Sequence, residues 1–137
     1  MSPVADIAEM SPIADTLPDI TEYRELIERA LKHDRPTHSF EDVEKAVEEG
    51  RALFWPIGEH SVVLTEITEF PRFKCLHIWC AAGRMEDIER AAPVILDYGR
   101  HMGCEKATLV GRKGWLRSFL TKTGWTDTEL VTMSKDL

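Results

Sequence analysis

Cysteine is scarce in this chain: three residues in 137, with no Cys-x-x-Cys pair. That excludes a disulfide scaffold and offers no zinc-type spacing, so no metal site is expected and a reducing, cytoplasmic compartment is. No apolar run approaches the roughly 20 residues of a membrane helix, so no membrane partner is expected. The opening Met1-Ser2-Pro3-Val4-Ala5-Asp6 has neither a basic patch nor a long apolar run, which predicts no signal peptide. Positive charge is in deficit. The formal net charge is −7, which argues against a dedicated nucleic-acid binder. Eight glycines and seven prolines without a period exclude a collagen-like chain.

What is present suffices for a core. Hydrophobic residues make up 43% and charged residues 30%, ordinary for one globular domain of this length. Residues 1–16, rich in Pro, Ala, Asp and Ser, read as a flexible arm, and 17–137 as a single domain. Charge divides unevenly: residues 1–50 hold thirteen acids against five bases, and residues 51–137 hold eleven against twelve. Arg100, Lys106, Arg112, Lys113, Arg117 and Lys122 make a late basic stretch. A solvated face is one reading of it; a contact site for phosphate or an acidic partner is the other.

Periodicity predicts the elements. Thr16 is placed to cap a helix near 18–32, carried by Ile20, Tyr23, Ile27, Ala30 and Leu31. Ser39, with Asp42 three residues on, predicts a second helix near 40–49 that stops at Gly50. Strands are expected at 52–57, 61–68 and 73–80, joined by short turns as an antiparallel meander. Pro56 marks an edge or a bulge. A long helix near 85–102 carries Ile88, Ala91, Ala92, Ile95, Tyr98 and Met102 on one side, with a kink or late restart expected at Pro93. A short strand at 107–110, parallel to 73–80, a helix from Gly114 to Thr123 with Trp115, Phe119 and Leu120 inward, and a last strand from Trp125 to Ser134 complete the order. The class is α/β (α+β): a mixed central sheet with helices on both faces, in the order α-α-β-β-β-α-β-α-β.

Lys113-Gly114-Trp115-Leu116-Arg117-Ser118-Phe119-Leu120-Thr121-Lys122-Thr123-Gly124-Trp125 is similar to a helix of the GNAT (N-acetyltransferase) superfamily that ends in Lys-x-Gly-aromatic. The element order resembles that family too, over roughly 17–137. The family's first strand would have to come from Val4 to Ile13. The resemblance implies that the turn after the central strand, Cys80 to Arg84, corresponds to the family's Q/R-x-x-G-x-G/A coenzyme A diphosphate turn. Ala82, Gly83, Arg84 and Met85 would then be the cofactor-binding residues, acetyl-coenzyme A the cofactor, and N-acetyl transfer the activity.

The residues depart from that pattern. Phosphate binding at a helix start needs free backbone amides, small residues and the positive end of the dipole. Here the turn has one glycine, a bulky Met85, and Glu86 and Asp87 on the first turn, which read as an ordinary acidic helix start. The resemblance puts the family's leaving-group tyrosine at Leu120, which cannot protonate a thiolate. If the chain is active, Glu66 and His77 on the central strands are the candidate catalytic bases. Glu66 is expected to face solvent if the opposite strand face is the buried one. Cys75 and Cys80 are expected on opposite strand faces, hence not a metal pair.

The chain is also similar to small, degenerate GNAT-like proteins of tailed phages and prophages. Gly111-Arg112-Lys113-Gly114-Trp115 and the tail Ser134-Lys135-Asp136 carry that likeness. It implies a non-catalytic, acidic virion component with no cofactor. Such a protein would act by contact with copies of itself or other virion proteins through Arg112, Lys113, Trp115 and Arg117. The two readings, protein-contact component and acyltransferase, differ in whether coenzyme A binds.

Overall fold

The computed structural model describes residues 18–33, 37–111, 115 and 119–137. A 3-10 turn over Ile20–Tyr23 passes directly into α1 (Arg24–His33). Asp19 starts it: its carboxylate accepts from the Thr21 amide, and Glu22 reaches back to the Asp19 amide. Thr16, the expected cap, lies outside the described residues. The second helix, α2 (Phe40–Glu48), carries the expected Ser39–Asp42 capping box. Gly50, at φ +76°, ends it in the left-handed region that favours glycine.

Strands β1 (Leu53–Ile57), β2 (Ser61–Glu69) and β3 (Lys74–Ala82) form the expected antiparallel meander. The chain then crosses through α3 (Met85–His101) to β4 (Cys104–Leu109), which pairs with β3 in parallel, as expected. The sheet order is β1-β2-β3-β4, and Pro56 sits on the outer strand, where a missing N–H costs no ladder bond. Strand β4 begins at Cys104 rather than 107, because Gly103 at φ +85° turns the chain out of α3 and Cys104 pairs at once with Lys74. Helix α3 runs through the exposed Pro93 with no restart. Met102, expected in its apolar stripe, is 45% exposed because the helix stops at His101.

The two faces of the sheet are covered differently. On one, Tyr23, Ile27 and Leu31 of the first helical segment and Phe40 and Val43 of α2 pack on Phe54, Val62, Leu64 and Cys80. On the other, Ala91 and Ile95 of α3 pack on Trp55, Ile57, Val63 and Leu76. Each fully buried Val, Leu or Ile among them contributes about 1.5–3 kcal/mol. The buried indole N–H of Trp55 donates to Thr65 Oγ1 at 2.9 Å, which removes the penalty of an unpaired buried donor.

The end of the chain departs from expectation. A helix, α4, is formed over Phe119–Lys122, within the predicted 114–123 span; residues 112–114 and 116–118 lie outside the described residues. No strand forms over 125–134. Local bonds replace a ladder there: Asp127 Oδ1 accepts from the Glu129 amide at 2.8 Å and Thr128 Oγ1 from the Leu130 amide at 3.4 Å. Glu129 takes φ +63°, which breaks the extended run. The observed order therefore lacks the final strand of the predicted series.

Candidate functional site

The ladder between β3 and β4 ends at Ile78↔Leu109, while β3 runs on to Ala82. On its other side β3 pairs with β2, and there the register jumps: Leu64 faces Cys80, but Thr65 faces Ile78. Trp79 is the extra residue, a β-bulge that bends the strand where β4 falls away. The result is a notch at the ends of the two parallel strands. The bulge also corrects the expectation for the cysteines. An uninterrupted strand would place Cys75 and Cys80 on opposite faces; the extra residue resets the phase, and Cys80 returns to the face used by Cys75 and His77. Among the described residues no three of His, Cys, Asp and Glu form a group that could hold a metal ion.

Beside the notch, three polar side chains form a row across the strands. Glu66 on β2 lies opposite His77 on β3, and His77 opposite Thr108 on β4. The His77 Nδ1 and Thr108 Oγ1 are 2.9 Å apart, and Cys75 Sγ lies 3.3 Å from the same hydroxyl. Thr108 thus fixes one ring nitrogen; with the hydrogen on Nδ1, Nε2 is left as an acceptor. Glu66 is half-buried rather than fully exposed, since helices cover both faces of the sheet. Trp79 is met edge-to-face by His38, ring centroids 4.8 Å apart, which brings the start of α2 to the bulge. The two bases picked from sequence are therefore brought together. Thr108, Trp79 and His38 were missed; a bulge inside an all-apolar Ile78-Trp79-Cys80 run leaves no mark on the alternation.

The turn at the other end of the notch is built from Gly83, Arg84 and the first turn of α3. Gly83 is at φ +117°, and a Cβ there would overlap the His60 carbonyl and Ser61. The β1–β2 hairpin end is thus pressed against the turn. Ser61, fully buried, accepts from the Arg84 amide at 2.8 Å and donates to Asp87 Oδ2 at 2.7 Å. Arg90 approaches the other Asp87 oxygen at 3.4 Å. Asp87 is committed to the fold, while Glu86 is exposed. The Met85 and Glu86 amides remain at the helix start, where no intrahelical acceptor exists. Beneath the notch a small cavity of about 30 Å³ is lined by apolar side chains, Ile78, Ala81, Ile88 and Leu120 among them. Leu120 is 5% exposed, a core residue with no proton to give. Trp115 is half-buried on that cavity; Arg112, Lys113 and Arg117 lie outside the described residues.

A mixed sheet whose parallel pair parts at a bulge, ahead of a helix start, defines a GNAT-like fold. Solved structures of acetyltransferases share it. A Trypanosoma brucei acetyltransferase matches with TM-score 0.63 at 18% identity, covering 87% of this chain and 93% of that one. An aminoglycoside acetyltransferase from an uncultured soil metagenomic sample matches at TM-score 0.65 and 11% identity, covering 86% and 88%. Glucosamine-6-phosphate N-acetyltransferase from Arabidopsis thaliana matches at 0.58 and 17%, covering 87% and 94%. No protein-family model and no curated protein matches the chain. Among the described residues no helix is long and apolar enough to cross a membrane.

Proposed function

We propose that this chain is an N-acyltransferase that moves an acyl group from a thioester to an amine in the notch between β3 and β4. The observation that carries it is the end of the β3–β4 ladder at Ile78↔Leu109, with the Trp79 bulge beside the Glu66–His77–Thr108 row. The amine nitrogen forms a bond to the thioester carbonyl carbon, the carbon–sulfur bond breaks, and the electron pair leaves on sulfur. The amine proton passes to His77 Nε2, held by Thr108, with Glu66 opposite stabilising the imidazolium. The amide of Trp79, the residue the β2 register passes over, is assigned as the donor for the carbonyl oxygen. Water protonates the thiolate, since Leu120 cannot. Direct attack needs positioning above all, and positioning alone supplies much of a rate.

Coenzyme A fits this chain in part. The strand edge suits a pantetheine arm. The turn suits a diphosphate poorly: Ser61 occupies the Arg84 amide, Met85 stands where a small residue is needed, and Glu86 brings negative charge. No step is therefore assigned to the diphosphate. Amino sugars are the first acceptors to try, because two of the structural neighbours are named for them. The virion-component reading finds no support among these neighbours, which are acetyltransferases.

The test is thiol release from acetyl-coenzyme A and acetyl-pantetheine over a panel of amines. Activity that falls about 100-fold or more in His77→Ala supports the reading. A chain inert with every thioester and amine, or a His77→Ala variant as active as the parent, overturns it.

A further inference from the structure

The bulge at Trp79 has a second effect, on the sheet face turned to α3. Along a regular strand every second side chain points to one face. Here Ile78 points to α3, Trp79 and Cys80 both turn to the opposite face, and the next side chain back is Ala81. The bulge therefore widens the spacing between side chains on the α3 face, and the gap closes on an alanine. Strand β4 does not fill it, because the parallel ladder ends at Ile78↔Leu109.

The cavity of about 30 Å³ lies at this gap. Val63, Ile78 and Ala81 form its sheet wall, Leu109 closes the β4 side, and Ile88 and Ala92 stand on the α3 wall. Among the described residues no charged side chain lines it, and an apolar void of this kind stays free of water. A cavity of about 150 Å³ takes the six carbons of benzene, so about 25 Å³ serves one carbon. The void thus has room for the last carbon of a chain that threads the gap.

Its depth bears on the acyl group. On the acyltransferase reading the thioester carbonyl is held beside the Trp79 amide, at the level of the strands. An acetyl methyl stands only about 1.5 Å beyond its carbonyl carbon. The void is walled by side chains of both the sheet and α3, so it lies between the two layers and further out than that methyl. A chain longer by a carbon or two reaches it.

We propose that the void is the end of an acyl subsite, and that the preferred donor is a thioester of a straight three- or four-carbon acyl group, propionyl or butyryl, rather than acetyl. The proposal rests on the acyltransferase reading above. Burial of the added methylenes favours the longer chain. The small side chains of Ala81 and Ala92 leave the room, and Ile88 sets the limit of length.

The test measures calorimetric binding and thiol release for acetyl-, propionyl-, butyryl- and octanoyl-pantetheine with the full chain. Butyryl-pantetheine should bind at least about tenfold more tightly than acetyl-pantetheine, with propionyl between them and octanoyl weaker than butyryl. Val63→Ile adds one carbon to the sheet wall. It should keep a parental melt and bring the butyryl preference below about threefold. Ile88→Val takes one carbon from the opposite wall and should lengthen the preferred chain by about one carbon. Acetyl bound as tightly as propionyl and butyryl, with transfer intact, overturns the subsite and leaves the transferase reading standing. A butyryl preference in binding with no transfer to any amine supports the subsite and removes the transferase reading. No binding of any of the four overturns both. A preference unchanged in folded Val63→Ile or Ile88→Val places the chain elsewhere and overturns the assignment.

Discussion

Ser61→Ala probes the joint between the β1–β2 hairpin and the start of α3. The hydroxyl is fully buried and makes two bonds, from the Arg84 amide at 2.8 Å and to Asp87 Oδ2 at 2.7 Å. Loss of a hydrogen bond to a charged group costs about 1.5–3 kcal/mol. Loss of a helix cap costs about 0.5–2 kcal/mol. The two are not additive here, because Asp87 keeps Arg90 and its side chain is still 18% exposed, so water can reach the carboxylate. The expected loss is about 2–3 kcal/mol, a large share of the about 5–15 kcal/mol typical of a domain. At this chain length it would lower Tm by about 10 °C. Urea unfolding of Ser61→Ala, Asp87→Asn and the double variant gives the coupling directly. A coupling of about 1 kcal/mol or more is expected between the two sites. A loss below about 0.5 kcal/mol for Ser61→Ala, or additivity within that margin, would refute the argument that Ser61 caps α3 from another strand.

Gly83→Ala should destabilise by about 3 kcal/mol or more, since it combines a strained φ with overlap against His60 and Ser61 backbone, and a parental melting curve would contradict the close packing. Thr108→Val should leave the melt unchanged but lower acyl transfer about tenfold and move its pH profile, because His77 loses the partner that fixes its ring; an unchanged profile removes Thr108 from the row. If the diphosphate is poorly held, acetyl-pantetheine should reach a kcat/KM within about tenfold of acetyl-coenzyme A, and calorimetry should give acetyl-coenzyme A a Kd well above 1 μM, about −8 kcal/mol. Asp42 accepts from the Ser39 amide and hydroxyl, which holds its carboxyl below the ordinary value of 3.8. Its folded value lies below the unfolded one, so its contribution is present above that ordinary value and lost as pH falls through the folded value. Asp42→Asn should flatten the acid limb of the stability curve below about pH 4, and an unchanged limb would exclude this cap as a contributor.

The meander was legible because Ser61 to Thr68 and Lys74 to Cys80 are rich in residues that suit a pleated, buried surface, and their turns carry Gly58 and Pro71. The α2 start was legible because Ser39 and Asp42 stand three residues apart beside an apolar pattern. Glu66 and His77 drew notice as polar residues inside apolar strands. The bulge could not be read: with both faces buried, Ile78, Trp79 and Cys80 suit either phase, so a one-residue slip is silent in the pattern. Nor could the Ser61–Asp87 bond, which links residues 26 apart through the meander. The last strand was misread for a different reason. Thr126, Thr128, Val131 and Thr132 favour a strand, but Asp127 and Thr128 side chains offer the backbone local partners, and no neighbouring strand outbids them.

The parallel pairing of β3 with β4 also sets an order of events in time. The meander closes through short turns, whereas Leu76 and Ala107 meet only after α3 has formed and crossed the sheet. Contacts of greater sequence separation pay more loop-closure entropy and form later. Strand β4 is also thinly covered, with Glu105, Lys106 and Thr108 exposed, so it belongs to the part of the molecule that opens at the lowest free energy. Amide exchange should therefore run faster along 104–109 than along 61–69. Thr108 rides on this strand and His77 on the adjacent one, so the polar row comes apart in openings that leave the meander intact. On the proposed acyltransferase reading, warming should abolish acyl transfer before the fold is lost.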